Sequence, residues 1–421
     1  MQRSLSVCHL GKYYPPAAGG IETHVRTLAR AQSALGIDVT VLCVNHANRR
    51  GVDMTWARYG ATGTQHDADG AVRVIRVGRS ATAARFDICP ALPRIIRELN
   101  RRPPDVFHLH TPNVTMLLTV SALTSGSTPL IITHHTDIVR QHVLKWVLAP
   151  YERRVYERSD CVLTSAGAYA GGSELLRKHI DKVEVLPMGL DLTGFLQPSE
   201  ATLAEEEKIR QTMPAPLWLA VGRCVYYKGL QTAIEALKYV PGTLLIVGRG
   251  PLEVALHQAA ERARVAERVR WWRYAPEEQL AGAYRAAEAL WFPSNSRGEA
   301  FGLVQIEAMA SGCPVINTHI PDSGVPWVSR HEETGLTVPM NDAKALARAA
   351  RRILRERGLR ARLAETARNR AISEFSDDTM AQRSLAVYER VLAARHANPV
   401  SAGARLSDWV RRMSRSVPAQ H

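Results

Sequence analysis

Short apolar runs alternate with helix-patterned stretches along most of this chain, and the alternation starts twice. In the first half, Ser4–Leu10, Asp38–Val44, Val72–Val77, Val106–Leu109, the run PLIITHHTD (129–137), Cys161–Thr164 and Val183–Leu186 read as strands. In the second half, Leu217–Val221, Thr243–Val247, Val269–Trp272, 289–292 and 335–338 repeat the pattern. Val72–Val77 alternates, and the other runs are apolar; strands joined by short loops and amphipathic helices in this βαβα order describe parallel sheets. An α/β fold with two such sheets follows. A length of 421 residues suits two domains and a tail. The acidic run ATLAEEEKIRQTMPAP (201–216) has few large apolar residues, so the linker is placed between about 192 and 214. Residues 45–71 are polar and glycine-bearing and read as a long loop or small excursion.

Bulk chemistry narrows the class. Apolar content of 46% with 22% charged residues describes a globular protein in water. No apolar run approaches a membrane span. The opening MQRSLSVCHLGKYYPP is too interrupted for a signal peptide and reads as a first strand. Cys8, Cys43, Cys89, Cys161, Cys224 and Cys313 show no metal-like spacing and sit mostly among apolar neighbours. They read as reduced core residues, which favours the cytoplasm.

A net charge of +14 fits an arginine-rich solvated surface, an acidic substrate, an anionic membrane surface or nucleic acid. No nucleic-acid-binding signature is visible and the aromatics form no stacking platform, so nucleic acid is not an expected partner. Three basic stretches suit an anionic membrane surface. They are 79–102, with Ile88, Leu92, Ile95, Ile96 and Leu99; 138–158, with Trp146 and Tyr151 among the bases, which suits a membrane or a lipid-linked acceptor; and the tail 396–421, read as disordered or as a small basic helix. For 79–102 an ordinary helix with its charged face in water is the preferred reading.

Four stretches carry chemistry. PSNSRGEAFGLVQIEAMASGCPVIN (293–317) reads as loop, helix and strand, with Glu299 in the loop and Glu307 on the helix. Its Phe301-Gly302-Leu303 leaves free backbone N–H groups at a helix start, which attract anions. GRCVYYKG (222–229) places Arg223 and Lys228 after a strand, two cations suited to a diphosphate, although most such bases are merely surface. It lacks the ATP-binding loop pattern, and GRGPLE (248–253) lacks the third glycine of a dinucleotide fingerprint, which disfavours hydride transfer. Gly19 and Gly20 precede a helix running from Ile21 to about Leu35, as a phosphate approach or a plain turn. His110, His134 and His135 stand at strand ends with Asp137 nearby, where parallel sheets bind ligands, and read equally as a site or as core and capping residues. Zinc finds little support, since no HExxH occurs.

These stretches together resemble the retaining glycosyltransferases of family 4, which share the GT-B fold. The matching pieces are AGGIETHV, DVFHLHTP, ITHHTDIVRQ, GRCVYYKGL, VGRGP and the Glu-x7-Glu motif formed by Glu299 and Glu307. The resemblance implies two Rossmann-like domains with parallel sheets facing across a cleft. They are an acceptor-side domain at 1–195 and a donor domain at 196–375, with a helix at 376–395 packing back on the first domain and a basic tail at 396–421. It implies that Arg223 and Lys228 bind the donor diphosphate, and that Phe301, Gly302 and Leu303 offer backbone contacts. Glu307 would hold the ribose, Glu299 the sugar hydroxyls, and Gly20 the diphosphate from the opposite domain. His135 would hydrogen-bond the donor sugar, with His134 adjacent in register.

The activity implied is metal-independent transfer of a hexose with retention, the leaving phosphate taking the acceptor's proton. No cofactor is implied beyond the sugar nucleotide, with GDP-mannose first and a UDP-hexose second. The acceptor would be a glycan or a lipid-linked glycan in bacterial surface polysaccharide synthesis, at the inner face of the plasma membrane. A sugar-nucleotide epimerase of the same fold is the alternative enzyme.

Overall fold

The computed structural model describes residues 4–17, 19–45, 47–48, 51–52, 63–83, 86–123, 127–137 and 142–397. They form two compact units. The first takes Met1–Thr164, Glu174–Leu186 and the chain from Met380; the second takes Ser165–Ser173 and Pro187–Thr379.

The first unit holds an eight-stranded sheet. Its strands are β1 (Ser6–Leu10), β2 (Asp38–Val44), β3 (Gln65–Asp69), β4 (Val72–Val77), β5 (Val106–Thr111), β6 (Leu130–His134), β7 (Cys161–Thr164) and β8 (Val183–Val185). They lie in the order β8-β7-β6-β5-β1-β2-β4-β3, all parallel except β3, which pairs antiparallel with β4 at the edge. The order reverses between β1 and β5, so their carboxyl ends flank the topological switch point, where open α/β sheets bind ligands. Helix α1 (Gly20–Ala34) follows β1 and buries Val25, Leu28 and Ala29 against the sheet.

The second unit holds six parallel strands: β9 (Leu217–Val221), β10 (Thr243–Val247), β11 (Val269–Trp272), β12 (Ala289–Phe292), β13 (Val315–His319) and β14 (Gly335–Pro339). Their order is β11-β10-β9-β12-β13-β14, so the switch point lies between β9 and β12. Both faces are packed. Leu217 and Leu219 join one core cluster while Trp218 and Ala220 join the other. That is why these strands are continuous apolar runs.

Several expectations change. The expected linker contains helix α2 (Glu200–Thr212). Ser199 caps it by accepting from the Thr202 N–H at 3.2 Å, and Ile209 is buried. Its acidic face is consumed by cations: Glu206 pairs with Arg285 at 2.6 Å, on helix α3 (Glu277–Ala286). A helix anchored through ion pairs and one apolar stripe does not look apolar in sequence.

The polar 45–71 stretch contains edge strand β3. Asp69 secures it, accepting from the Tyr14 hydroxyl and from Arg26, each at 2.8 Å. Residues 79–102 are only partly helical. Ala81–Ala83 and Phe86–Ile88 form a hairpin, and the helix spans Leu92–Arg101. Arg79 faces no membrane, because it is buried in an ion pair with Asp87 at 3.3 Å.

The chain crosses between units at Leu186–Pro187, ahead of the boundary that the sequence places after residue 195. The physical reason is burial: Leu190, Leu192 and Phe195 enter the second unit's core, and Leu190 bridges to Ser376. After helix α4 (Leu303–Ala310) and β14, helix α5 (Asp377–Ala397) carries Met380, Val387, Tyr388 and Val391 into the first unit's core. Residues 138–141 of the expected basic helix, and the expected tail from residue 398, lie outside the described residues. No described helix is long and apolar enough to cross a membrane.

Candidate functional site

The carboxyl ends of β9 and β12 gather most of the expected donor-binding residues of the second unit. After β9 the chain makes a short turn, Tyr226–Lys228, and ends it at Gly229. Gly229 has φ +60°, and a Cβ there would lie 2.0 Å from the Pro293 carbonyl oxygen. Only glycine lets this turn close on the loop after β12. The closure brings Lys228 Nζ to 2.6 Å from Glu299 Oε2, across 71 positions of sequence (299 minus 228). Lys228 Nζ also stands 4.9 Å from the Phe292 ring centroid. Arg223 is exposed and donates to the Tyr227 hydroxyl at 3.1 Å.

Glu299 is fixed from several sides. Ser294 donates to its carboxylate at 3.2 Å, and Ser323 donates to its backbone carbonyl at 2.6 Å. Gly302 then starts α4 with φ +85°, where a Cβ would meet the Phe292 ring at 2.6 Å. Phe301 turns its side chain into the core against Trp327 and Phe375, which leaves its backbone to serve the loop. One turn into α4, partly buried Glu307 accepts from the Tyr284 hydroxyl at 2.7 Å. Burial raises the pKa of Glu307, and the Tyr284 hydrogen bond opposes the rise. The result is a cation beside a carboxylate at the switch point, an exposed guanidinium, and a helix start with unpaired amides.

The first unit's switch point is chemically different. His9 on β1, His108 and His110 on β5, His135 after β6, and His24 on α1 form one buried group. Their rings contact one another, His108 and His110 with centroids 4.5 Å apart and His24 and His135 4.9 Å apart. Burial is the main cause that lowers the pKa of His9 to about 4 and of His24 to about 3. It also drives His108, His110 and His135 well below the ordinary imidazole range. At neutral pH the group is uncharged. Two triads, His9-His108-His110 and His24-His110-His135, have ring nitrogens within 4.8 Å of one another and could hold a metal ion. His134 is separate: it bonds the Tyr156 hydroxyl at 2.6 Å and lies 3.2 Å from Asp137.

Arg223, Lys228, Glu299, Phe301, Gly302, Leu303 and Glu307 therefore all lie in the second unit, where Lys228 contacts Glu299. Gly20 and His135 lie in the first, Gly20 opening α1 and His135 in the histidine group. The sequence did not single out His9, His24 or His108. His9 stands in an apolar run and His24 in a polar helix segment, and only the pairing of β1 with β5 brings His9 beside His108. A signal was present in DVFHLHTP, whose two histidines are separated by one residue and would share a strand face.

Two parallel-sheet units with switch-point sites of this kind are the GT-B class of glycosyltransferase. The solved structure of sucrose-phosphate synthase from Thermosynechococcus elongatus superposes with a TM-score of 0.74 at 23% identity, covering 93% of this chain and 100% of that one. Residues 203–370 match the family "Glycosyl transferases group 1", and residues 19–189 match "Glycosyl transferase 4-like domain". The chain is 30% identical over 386 residues to the phosphatidyl-myo-inositol mannosyltransferase of Mycobacterium leprae, covering 89% of this chain and 93% of the relative. It is 26% identical over 393 residues to the O-antigen chain mannosyltransferase C of Escherichia coli, covering 93% and 100%. The chain belongs to the group 1 glycosyltransferases, and it is an enzyme of that class.

Proposed function

We propose that this protein transfers mannose from GDP-mannose, with retention and without a metal, to a glycan or lipid-linked acceptor in surface polysaccharide synthesis. The observation that carries the reading is the Lys228–Glu299 pair beside Arg223 at the second unit's switch point. Breaking a sugar–phosphate bond builds negative charge on the leaving diphosphate. Lys228, Arg223 and the amides at Gly302 and Leu303 stabilise that charge, where a fixed positive field contributes most. Glu299 then exchanges Lys228 for sugar hydroxyls, and Glu307 takes the ribose. Mannose as the sugar is supported by two relatives named as mannosyltransferases, one of them an O-antigen enzyme.

No described helix is long and apolar enough to cross a membrane, and contact with a lipid-linked acceptor is read as peripheral. The test is a donor panel of GDP- and UDP-hexoses assayed for binding, hydrolysis and transfer. GDP-mannose is expected to bind tightest and to yield an α-linked product. Preference for a UDP-hexose would move the donor assignment. Epimerised sugar nucleotide formed without acceptor would replace transfer by epimerisation.

A further inference from the structure

Three of the buried imidazoles join end to end. Gln32 on α1 meets His9 Nε2 through Oε1 at 2.8 Å. His9 Nδ1 meets His110 Nε2 at 3.0 Å, and His110 Nδ1 meets His135 Nε2 at 3.2 Å. His135 Nδ1 is buried and has no hydrogen-bond partner. The backbone N–H of His135 donates to the Thr111 carbonyl at 3.0 Å, which fixes the ring's base beside β5.

The protons in this row are determined from its far end. Ser384 Oγ donates to the Ala381 carbonyl at 2.7 Å, so its hydroxyl proton is committed. The Gln32 atom facing it at 2.8 Å must therefore be the amide nitrogen. The second amide proton goes to the Tyr388 hydroxyl at 2.9 Å. Gln32 Oε1 is thus turned to His9, and an amide oxygen only accepts, so His9 Nε2 carries the proton. A neutral ring has one proton, so His9 Nδ1 accepts and His110 Nε2 must donate. By the same step His110 Nδ1 accepts from His135 Nε2. Burial, which drives His9, His110 and His135 below the ordinary range, keeps each ring at one proton.

We propose that Gln32 is a positioning residue which, through His9 and His110, holds His135 as the tautomer with its proton on Nε2 and a bare lone pair on Nδ1. An acceptor with no donor in reach calls for a hydroxyl or N–H from a ligand. Resting on the hexosyltransferase reading, that donor is a hydroxyl of the transferred sugar, and His135 could not then act as a proton donor at Nδ1. His24, whose ring packs edge-on against His135, also has no partner at either ring nitrogen. The row needs all four side chains, which stand at positions 9, 32, 110 and 135.

The test is long-range proton–nitrogen correlation on full-length protein labelled with 15N-histidine, His135 being assigned by its loss in His135→Asn. In the wild type, Nε2 of His135 is expected to be protonated and Nδ1 bare. Gln32→Leu removes the terminal acceptor and should leave His135 populating both tautomers. Gln32→Glu keeps an acceptor and should preserve the wild-type pattern. Transfer by Gln32→Leu should fall roughly two- to tenfold in kcat/KM, the worth of one neutral hydrogen bond. A proton on Nδ1 of His135 in the wild type overturns the proposal, and this holds even if Gln32→Leu does not fold. An unchanged His135 pattern in folded Gln32→Leu also overturns it. So does zinc retained one per chain on His24, His110 and His135, because an ion takes a lone pair that the row needs. The expected tautomer in a protein that transfers no hexose would leave the relay standing and remove only the functional reading.

Discussion

The two switch points of this protein solve opposite problems on the same scaffold. At the carboxyl ends of β9 and β12 the chain concentrates charge: Lys228 against Glu299 at 2.6 Å, with Arg223 exposed nearby. At the carboxyl ends of β1 and β5 it buries five imidazoles and excludes charge, lowering the pKa of every one by burial. Charged groups suit a site where a diphosphate accepts charge as a bond breaks. Neutral groups of fixed tautomer suit one that reads hydroxyls. A parallel sheet delivers either, because the side chains on and after its strands can differ while the topology stays the same.

The largest expected effect separates these roles. Under the proposed function, Lys228→Ala should lower transfer by about 10²–10³-fold in kcat, the usual loss for one charge-stabilising donor. A rate within about threefold of wild type would show that Lys228 does not serve the leaving group. Glu299→Ala should also lower transfer, yet it should tighten binding of GDP alone, since Lys228 is then free of its carboxylate. Weaker GDP binding in that variant, measured by calorimetry, would mean that Glu299 itself supports the diphosphate side.

Next in size is the turn that builds the charged site. Gly229→Ala places a Cβ 2.0 Å from the Pro293 oxygen at φ +60°. It should cost about 2 kcal/mol or more and lower the melting temperature by about 4–8 °C. A variant melting with the wild type would show that the turn yields without cost.

The neutral site is exposed through pH. His9 and His24 have folded pKa values of about 4 and 3, below the ordinary 6.5. Between those values and 6.5 the unfolded chain binds more protons than the folded one. Stability should therefore fall as pH drops from about 6.5 toward 4, each such histidine adding up to about 1.4 kcal/mol per pH unit. Urea midpoints between pH 5 and 6.5 would measure this with little interference from carboxylates. His24→Phe should flatten the slope. An unchanged slope would show that His24 does not titrate on unfolding in this range.

The smallest expected change concerns Glu307. Tyr284→Phe removes the 2.7 Å hydrogen bond to its carboxylate. Stability should drop by about 0.5–1.5 kcal/mol, and the pKa of Glu307 should rise further. With Glu307 on the ribose, KM for the donor should rise while kcat holds. A fall in kcat at constant KM would place Glu307 nearer the reacting bond.

The basic composition has a plainer explanation than a charged partner. Arg268 donates to the carbonyls of Gly242, Leu237 and Val240, and Arg370 to those of Trp327 and Val328. Arginines that brace loop carbonyls need no acidic partner, and they add to the formal charge without forming a binding face.

What the sequence determined by itself was the alternation, and with it the sheets. Leu217–Val221, Thr243–Val247 and Ala289–Phe292 end where the apolar runs end, because a strand buried on both faces must be apolar throughout. The candidate residues from Arg223 to Glu307 were also legible as candidates, since they lie in the segments that follow β9 and β12. Helix α2 and edge strand β3 were not, because ion pairs and water-facing backbone hold them, and those leave no apolar period. Only the tertiary structure decided that Lys228 meets Glu299, and that His9, Gln32, His110 and His135 form a row. Those contacts join strands and helices that are neighbours by sheet order and remote in sequence. Sheet order is set by the packing of the whole core, to which no local pattern gives access.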